Sequence, residues 1–411
     1  MKVMIVSASF PPFGWGGAEI AAEGITQWLV EQGHEAAIYT DIAPHQLGSA
    51  SGTEVPPRYA PAKNGGTHRA HEHGTQTGLK KALWHAADHK RHAGESEFAR
   101  AAAEFRPDVV MVHLAPGLGL GLFEYCAARD LPVVFVVHDF WMTCLRSSMF
   151  SRAGTVCTER CWMCRWSSGR RLRALLQIPR LGFWAPSRRI VEIIQKEVGD
   201  VFRNLLVERN VVDLGDFGRV ADPAPAGPVR FLYVGKVTEA KGVRFVLECL
   251  GALSAAAQFE VDIVGSGDAE DALRGHYAHD HRFHFHGARP RAEVAEFYRN
   301  ASALLVPSLW FENSPLVIYQ AQATGLPVVG SDSGGIPELL AGRDDSFTLP
   351  AGDRAAWTAQ LGALASNPAL VEHVRKFARQ HANENAQALD ARGRKVEALC
   401  RALIDLPSRA A

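Results

Sequence analysis

The feature of this chain that most constrains its fold is an alternation. Short apolar runs rich in valine, isoleucine and phenylalanine occur at 3–7, 108–113, 132–138, 229–235, 259–265, 282–287, 303–308 and 327–332. Amphipathic stretches such as 18–31, 241–256 and 291–300 lie between most of them. Strands that read as unbroken apolar runs are buried on both faces, and the helical stretches between them supply the covering layers. The pattern predicts an α/β protein built on parallel sheets. Periodicity breaks at 213–228, where Gly215, Gly218, Pro223, Pro225, Gly227 and Pro228 cluster, and a fresh strand starts at Val229. This is read as a linker between two α/β units. Ligands of such sheets bind beyond the carboxyl ends of the strands, so two facing units would put a cleft between them.

Composition narrows the function classes. A chain of 411 residues with 47% hydrophobic and 21% charged residues is not disordered over most of its length. Lysine plus arginine (44) balances aspartate plus glutamate (44), so no global charge points to nucleic acid. No apolar run approaches the ~18 residues that span a bilayer. The first nine residues carry one charge, Lys2, and lead into Phe10, Pro11, Pro12 and glycines, which reads as a first strand and not as an export signal. With seven cysteines and no export signal, the expected compartment is the reducing cytosol. The segment 44–78, with His45, His68, His71 and His73 among glycine, serine and proline, reads as a surface loop in preference to a metal-binding tract, because no acidic or cysteine partner stands at ligand spacing.

Three stretches carry residues suited to chemistry. Gly14, Trp15, Gly16, Gly17, Ala18 and Glu19 follow the first strand and open a helix, an arrangement that suits a phosphate or simply makes a tight turn. Gly235, Lys236, Lys241 and Gly242 place two lysines five residues apart at a strand end, where they could converge on one diphosphate or lie solvated on a rim. Glu312, Asn313, Ser314, Pro315, Leu316 and Gln320 follow a buried strand and enter another helix. Polar groups there can hold sugar or ribose hydroxyls, or merely cap a surface helix.

Taken in order, Gly16-Gly17, Gly235-Lys236 with Lys241-Gly242, Glu312 followed after seven residues by Gln320, and Gly334-Gly335-Ile336-Pro337-Glu338 resemble the retaining glycosyltransferases of family four, from the N-terminus to about residue 350. His138-Asp139-Phe140-Trp141, at the end of a buried strand, resembles that family's donor-side histidine in an HDFW variant. The resemblance implies the GT-B fold, two Rossmann-like domains facing across a cleft: an acceptor domain at 1–213 joined by the C-terminal helix at 385–411, a linker at 214–228 and a donor domain at 229–384. It further implies a nucleotide-diphosphate sugar as donor. Lys236 and Lys241 would neutralise the leaving diphosphate, Glu312 contact donor-sugar hydroxyls, and Gln320 the ribose. Asn313, Ser314, Leu316, Gly16 and Gly17 would complete the donor site, with His138 beside the anomeric carbon. Such enzymes use no catalytic metal. Gln320 stands where the family has a second glutamate, and Pro315 where many members have glycine.

Two features lie outside those motifs. Cys144, Cys157, Cys161 and Cys164 fall within 21 residues, a spacing open to a structural zinc, a disulfide-forming set or a merely buried set. Ten arginines between Arg146 and Arg189 face one acid, Glu159, with tryptophan, methionine and leucine interleaved. They suggest an anionic membrane surface as partner, a solvated face being the alternative and nucleic acid the less favoured one. The function expected is sugar transfer to a glycan or lipid-linked saccharide in cell-surface polysaccharide or glycoconjugate synthesis, in the cytoplasm or peripherally on the inner membrane face. A catalytically silent nucleotide-sugar-binding or scaffolding subunit and a GT-B nucleotide-sugar epimerase or hydrolase are the alternatives.

Overall fold

The computed structural model describes residues 1–12, 16–41, 58–59, 78–89, 95–151, 154–220, 227–254, 257–382 and 384–408. The chain divides into two compact units. The first comprises Met1–Met149, Thr158–Val212 and Leu389–Ala411, and the second Phe150–Cys157 and Asp213–Ala388.

The first unit is a parallel sheet of β1 (Lys2–Ser7), β2 (Glu35–Thr40), β3 (Arg58–Tyr59), β4 (Val109–Leu114), β5 (Val133–Val136), β6 (Leu181–Ala185) and β7 (Leu205–Val207). Its order is β3-β2-β1-β4-β5-β6-β7. Helices α1 (Gly17–Glu31), α2 (Gly78–Asp88), α3 (Glu95–Phe105), α4 (Gly121–Ala128), α5 (Trp162–Leu176) and α6 (Arg188–Val198) connect the strands. The second unit holds β8 (Val229–Val234), β9 (Phe259–Val264), β10 (Phe283–Gly287), β11 (Ala303–Val306), β12 (Val328–Ser331) and β13 (Ser346–Leu349), also parallel, in the order β10-β9-β8-β11-β12-β13. Its helices are α7 (Val243–Gly251), α8 (Glu270–His276), α9 (Arg291–Asn300), α10 (Leu316–Thr324), α11 (Ile336–Leu340), α12 (Arg354–Ser366), α13 (Pro368–Gln380) and α14 (Glu384–Ile404). The last of these begins in the second unit and ends in the first.

The central strands β1, β4, β5, β8, β11 and β12 are the apolar runs of the sequence, and their valines, isoleucines and leucines are buried apart from Leu114 and Val234 at the carboxyl ends of β4 and β8. Covering helices complete each core. Trp28 and Leu29 of α1, with Val396, Cys400 and Leu403 of α14, pack on Val3, Ile5, Val109 and Trp184 in the first unit. Trp357 and Leu361 of α12 pack with Val246 and Leu250 of α7 on Phe231 and Ile263 in the second. Among the described residues no helix is long and apolar enough to cross a membrane. Of the segment 44–78, only Arg58–Tyr59 and Gly78 are described, so its four histidines lie outside the described residues, as do Gly14 and Trp15.

Candidate functional site

In the second unit β8, β11 and β12 are neighbours in the sheet, so the loops leaving their carboxyl ends meet. The loop after β8 carries Lys236 and Lys241, and the loop after β11 carries Ser308, Trp310 and Glu312. Backbone bonds lock them together: the N–H of Leu309 donates to the Ala240 carbonyl at 3.0 Å. Gly242 makes this approach possible. Its φ is +70°, and a Cβ there would collide with the Pro307 carbonyl. The loop after β12 closes the third side, where the Gly335 N–H donates to the Glu312 carbonyl at 2.7 Å. Gly334, at φ +61°, lies so close to the backbone of Glu312 that no side chain fits.

These contacts bury Glu312, which is 8% exposed. Three donors converge on its Oε1: Lys241 Nζ at 2.6 Å, Ser308 Oγ at 2.7 Å and Trp310 Nε1 at 2.7 Å. Among the described residues no donor reaches Oε2. Burial pushes the carboxyl up, but the Lys241 ammonium and the three hydrogen bonds outweigh it, and Glu312 titrates below the ordinary carboxylate range. The ammonium of Lys241 also lies over the Trp310 ring, 5.0 Å from its centre. Lys236 is exposed on the same loop, whose turn is held by the Tyr233 hydroxyl donating to the Lys236 carbonyl at 2.7 Å.

Pro315 caps α10 without a side-chain bond, and Leu316 begins the helix, buried. Ser314 Oγ lies 2.6 Å from the Tyr319 hydroxyl, and the half-buried Gln320 accepts from the Tyr298 hydroxyl of α9 at 3.0 Å. Asn313 is half-buried between Glu312 and Ser314. Ser308, Trp310 and Tyr298 carry no role in the sequence reading. Trp310 and Ser308 stand beside Glu312 in the chain, but their convergence on one oxygen is visible only once the loop is folded.

In the first unit β4 and β5 are neighbours, and a histidine stands at or just past the end of each. His113 Nδ1 and His138 Nε2 are 2.9 Å apart, with the rings stacked at 5.1 Å. Burial lowers His138 to about 3, and burial reinforced by His138 holds His113 well below its ordinary value. Both rings are therefore neutral at pH 7. Asp139 accepts from the Trp141 N–H at 2.7 Å, and burial raises its carboxyl to about 6. His113 was missed by sequence reading. Its signal was a histidine closing an apolar strand in register with the strand before His138. Gly16 is the N-cap of α1 and Gly17 its first residue, and the side chain of Glu19 folds back over Gly16.

Three of the four cysteines interact, Cys144 and Cys161 each sharing a hydrogen bond with Cys164. Cys164 donates to Cys144 with the sulfurs 3.9 Å apart, which lowers the Cys144 thiol, while Cys161 is exposed at the N-cap of α5. Cys157 ends a short antiparallel turn, bridged between Phe150 and Val156, that groups with the second unit. Among the described residues no three histidine, cysteine, aspartate or glutamate side chains are placed to hold a metal ion.

Comparison with known proteins agrees with this architecture. The description "Glycosyltransferase Family 4" matches residues 15–199, and "Glycosyl transferases group 1" matches residues 228–367. The amylovoran biosynthesis glycosyltransferase AmsK of Erwinia amylovora is 34% identical over 36% of this chain, which spans 38% of AmsK. WcaL of Escherichia coli K12, assigned by name to colanic acid biosynthesis as a glycosyltransferase, is 27% identical over 72% of this chain and 73% of its own. Among solved structures, sucrose-phosphate synthase from Thermosynechococcus elongatus superposes with a TM-score of 0.74 at 17% identity, covering 99% of this chain and 100% of that one. Anabaena HepE in complex with UDP-glucose gives 0.66 at 14% identity, covering 97% and 99%. With both halves matched by glycosyltransferase families and the two-sheet fold shared, the chain belongs to the GT-B glycosyltransferase superfamily.

Proposed function

We propose that this protein transfers a sugar from a nucleotide-diphosphate sugar to a glycan or lipid-linked saccharide with retention of anomeric configuration, as a step in cell-surface polysaccharide assembly. The observation that carries the reading is the convergence of Lys241, Ser308 and Trp310 on Glu312 at the carboxyl ends of β8 and β11. That end of a parallel sheet is where ligands bind. Retention rests on the resemblance of the Lys241, Glu312 and His138 motifs to retaining enzymes. The acceptor class is supported by the names of the relatives, and the donor class by the UDP-glucose complex of HepE.

On this reading, charge that develops on the departing diphosphate is met by Lys236 and Lys241, aided by the amides at the N-terminus of α10. Glu312 has Oε1 saturated, which fixes its rotamer and presents Oε2 to a donor-sugar hydroxyl. Gln320, with its Oε1 held by Tyr298, offers its amide N–H to a ribose oxygen. His138, neutral, accepts or donates one hydrogen bond at the sugar without adding charge. The test is incubation of the protein with a panel of nucleotide-diphosphate sugars and envelope lipid extract, followed by NMR of the product linkage. A product with the donor's anomeric configuration supports the reading. An inverted linkage, or donor consumption with no transfer, overturns it.

A further inference from the structure

Helix α5 is inside out. Its buried residues are Ser167, Ser168, Arg171, Ala174 and Leu175, whereas Trp162 is 75% exposed, Trp166 51% and Met163 45%. The inversion has a structural cause. Arg171 donates to the carbonyls of Trp141 and Cys144 and pairs with the buried Asp88 at 3.3 Å, and Ser168 donates to the Met142 carbonyl, so the polar face of α5 is fixed against the loop after His138. The aromatic face is left outward. Positions 162, 166 and 173 lie on one stripe of the helix, so Arg173 continues the line of the two tryptophans, with Arg165 beside it. Both arginines are exposed, and among the described residues neither has an ion pair.

The end of α2 is tied to the same helix. His89, directly after α2, bonds Ser167 Oγ at 2.8 Å, and its ring lies tilted against that of Trp166 with the centres 4.8 Å apart. This second helix also shows apolar residues, Leu79 at 75% and Leu83 at 50% exposed, next to Lys80 and Lys81. The sole acid on α2 and α5 is Asp88, which is buried and committed to Arg171 and the Gly117 N–H. The charge of the arginine-rich stretch is thereby redistributed relative to its reading in sequence. Arg160, Arg171, Arg180 and Arg189 pair with Glu197, Asp88, Asp130 and Glu192, so they add little to any outward field. Among the described residues of α5, Arg165 and Arg173 remain as outward cations beside the exposed Trp162 and Trp166.

We infer that the outer face of α5, with α2 beside it, docks the first unit on a bilayer rich in anionic phospholipid. Tryptophan and methionine enter the headgroup layer while Arg165, Arg173 and the lysines of α2 meet the phosphates. A second copy of the chain is disfavoured as occupant, because a two-fold contact would set this cationic face against itself. The inference rests on the surface alone and stands or falls apart from the donor chemistry.

The test is flotation of the full chain with vesicles of phosphatidylcholine, with and without phosphatidylglycerol, at low and high salt. The wild type floats with the anionic vesicles only and is released at high salt. Arg165→Glu/Arg173→Glu lowers anionic-vesicle binding by more than about tenfold, and Trp162→Ser lowers it severalfold. In both variants the fold by circular dichroism and the donor-induced thermal shift are unchanged. Arg188→Glu/Arg189→Glu, in the same arginine-rich stretch but on α6, leaves binding intact. Absence of wild-type flotation, equal flotation of Arg165→Glu/Arg173→Glu, or equal loss in Arg188→Glu/Arg189→Glu overturns the inference. So does wild-type dimerisation that Trp162→Ser abolishes, or displacement from vesicles by an oligonucleotide at comparable concentration.

Discussion

Lys241 and Glu312 form a nearly enclosed ion pair, with 28% and 8% of their side chains exposed. Lys241→Met leaves the Glu312 carboxylate in a low-dielectric site with only Ser308 and Trp310, so the variant loses about 2 kcal/mol at pH 7. Glu312 titrates below its unfolded value, so its contribution is present above about pH 4.5 and disappears as pH falls through the folded value. The gap in denaturant stability between wild type and Lys241→Met therefore narrows on acidification, and a constant gap would remove Glu312 as the partner. The paired histidines also lose stability on acidification, although there it is the neutral forms that the fold favours. Burial depresses both, so between about pH 6.5 and 3 the unfolded chain binds protons that the folded chain refuses, and stability falls with pH. His113→Asn makes that decline shallower by up to about 1.4 kcal/mol per pH unit, read by urea melts across the range. It also slows turnover with no inflection near pH 6.5, because His113 positions the His138 ring. Lys241, Glu312 and His138 were legible because each stands in a short motif. Ser308 and Trp310 were not, because their convergence with Lys241 on one carboxylate oxygen arises only in the folded loop, and His113 was not, because its partner comes after the neighbouring strand.

The glycines of the loops belong to the scale of elements, for they decide how closely two strand ends approach. Gly334→Ala places a methyl group against the Glu312 backbone in left-handed conformation, and the loop after β12 must retreat. The expected cost is about 3 kcal/mol, with a weaker donor-induced thermal shift. A melting temperature equal to wild type would mean that the loop does not brace Glu312. Among the strands, those buried on both faces could be read directly from valine and isoleucine runs. The ones missed have physical reasons for their silence. Strand β2 is built on alanines, β6 carries Gly182 where a Cβ would strike Leu403, and the edge strand β13 contains Ser346 and Thr348. The arginine-rich stretch was counted as one charge; in the fold Arg171 of α5 is buried against Asp88, and Arg160 and Arg180 on either side of that helix are held in ion pairs.

At the scale of the whole molecule, the second unit donates the start of α14 while the first unit receives its end, and Gly393 lets that helix lie against Trp28. Val396, Cys400 and Leu403 complete the core around β1 and β4. Deleting residues 389–411 should leave this core open, giving insoluble protein or a lost first unit by limited proteolysis. A truncated chain that melts like the full one would contradict that packing. The claim on which the functional account turns is that the second unit holds a nucleotide-diphosphate sugar through Lys241. Thermal-shift titration of wild type and Lys241→Met with uridine, guanosine and adenosine diphosphate sugars tests it most directly. At one hundred times its dissociation constant the correct donor adds ~2.7 kcal/mol of stability to the wild type, and Lys241→Met loses that gain while remaining folded. Equal stabilisation of the two proteins, or none of the wild type by any of these sugars, would contradict the account.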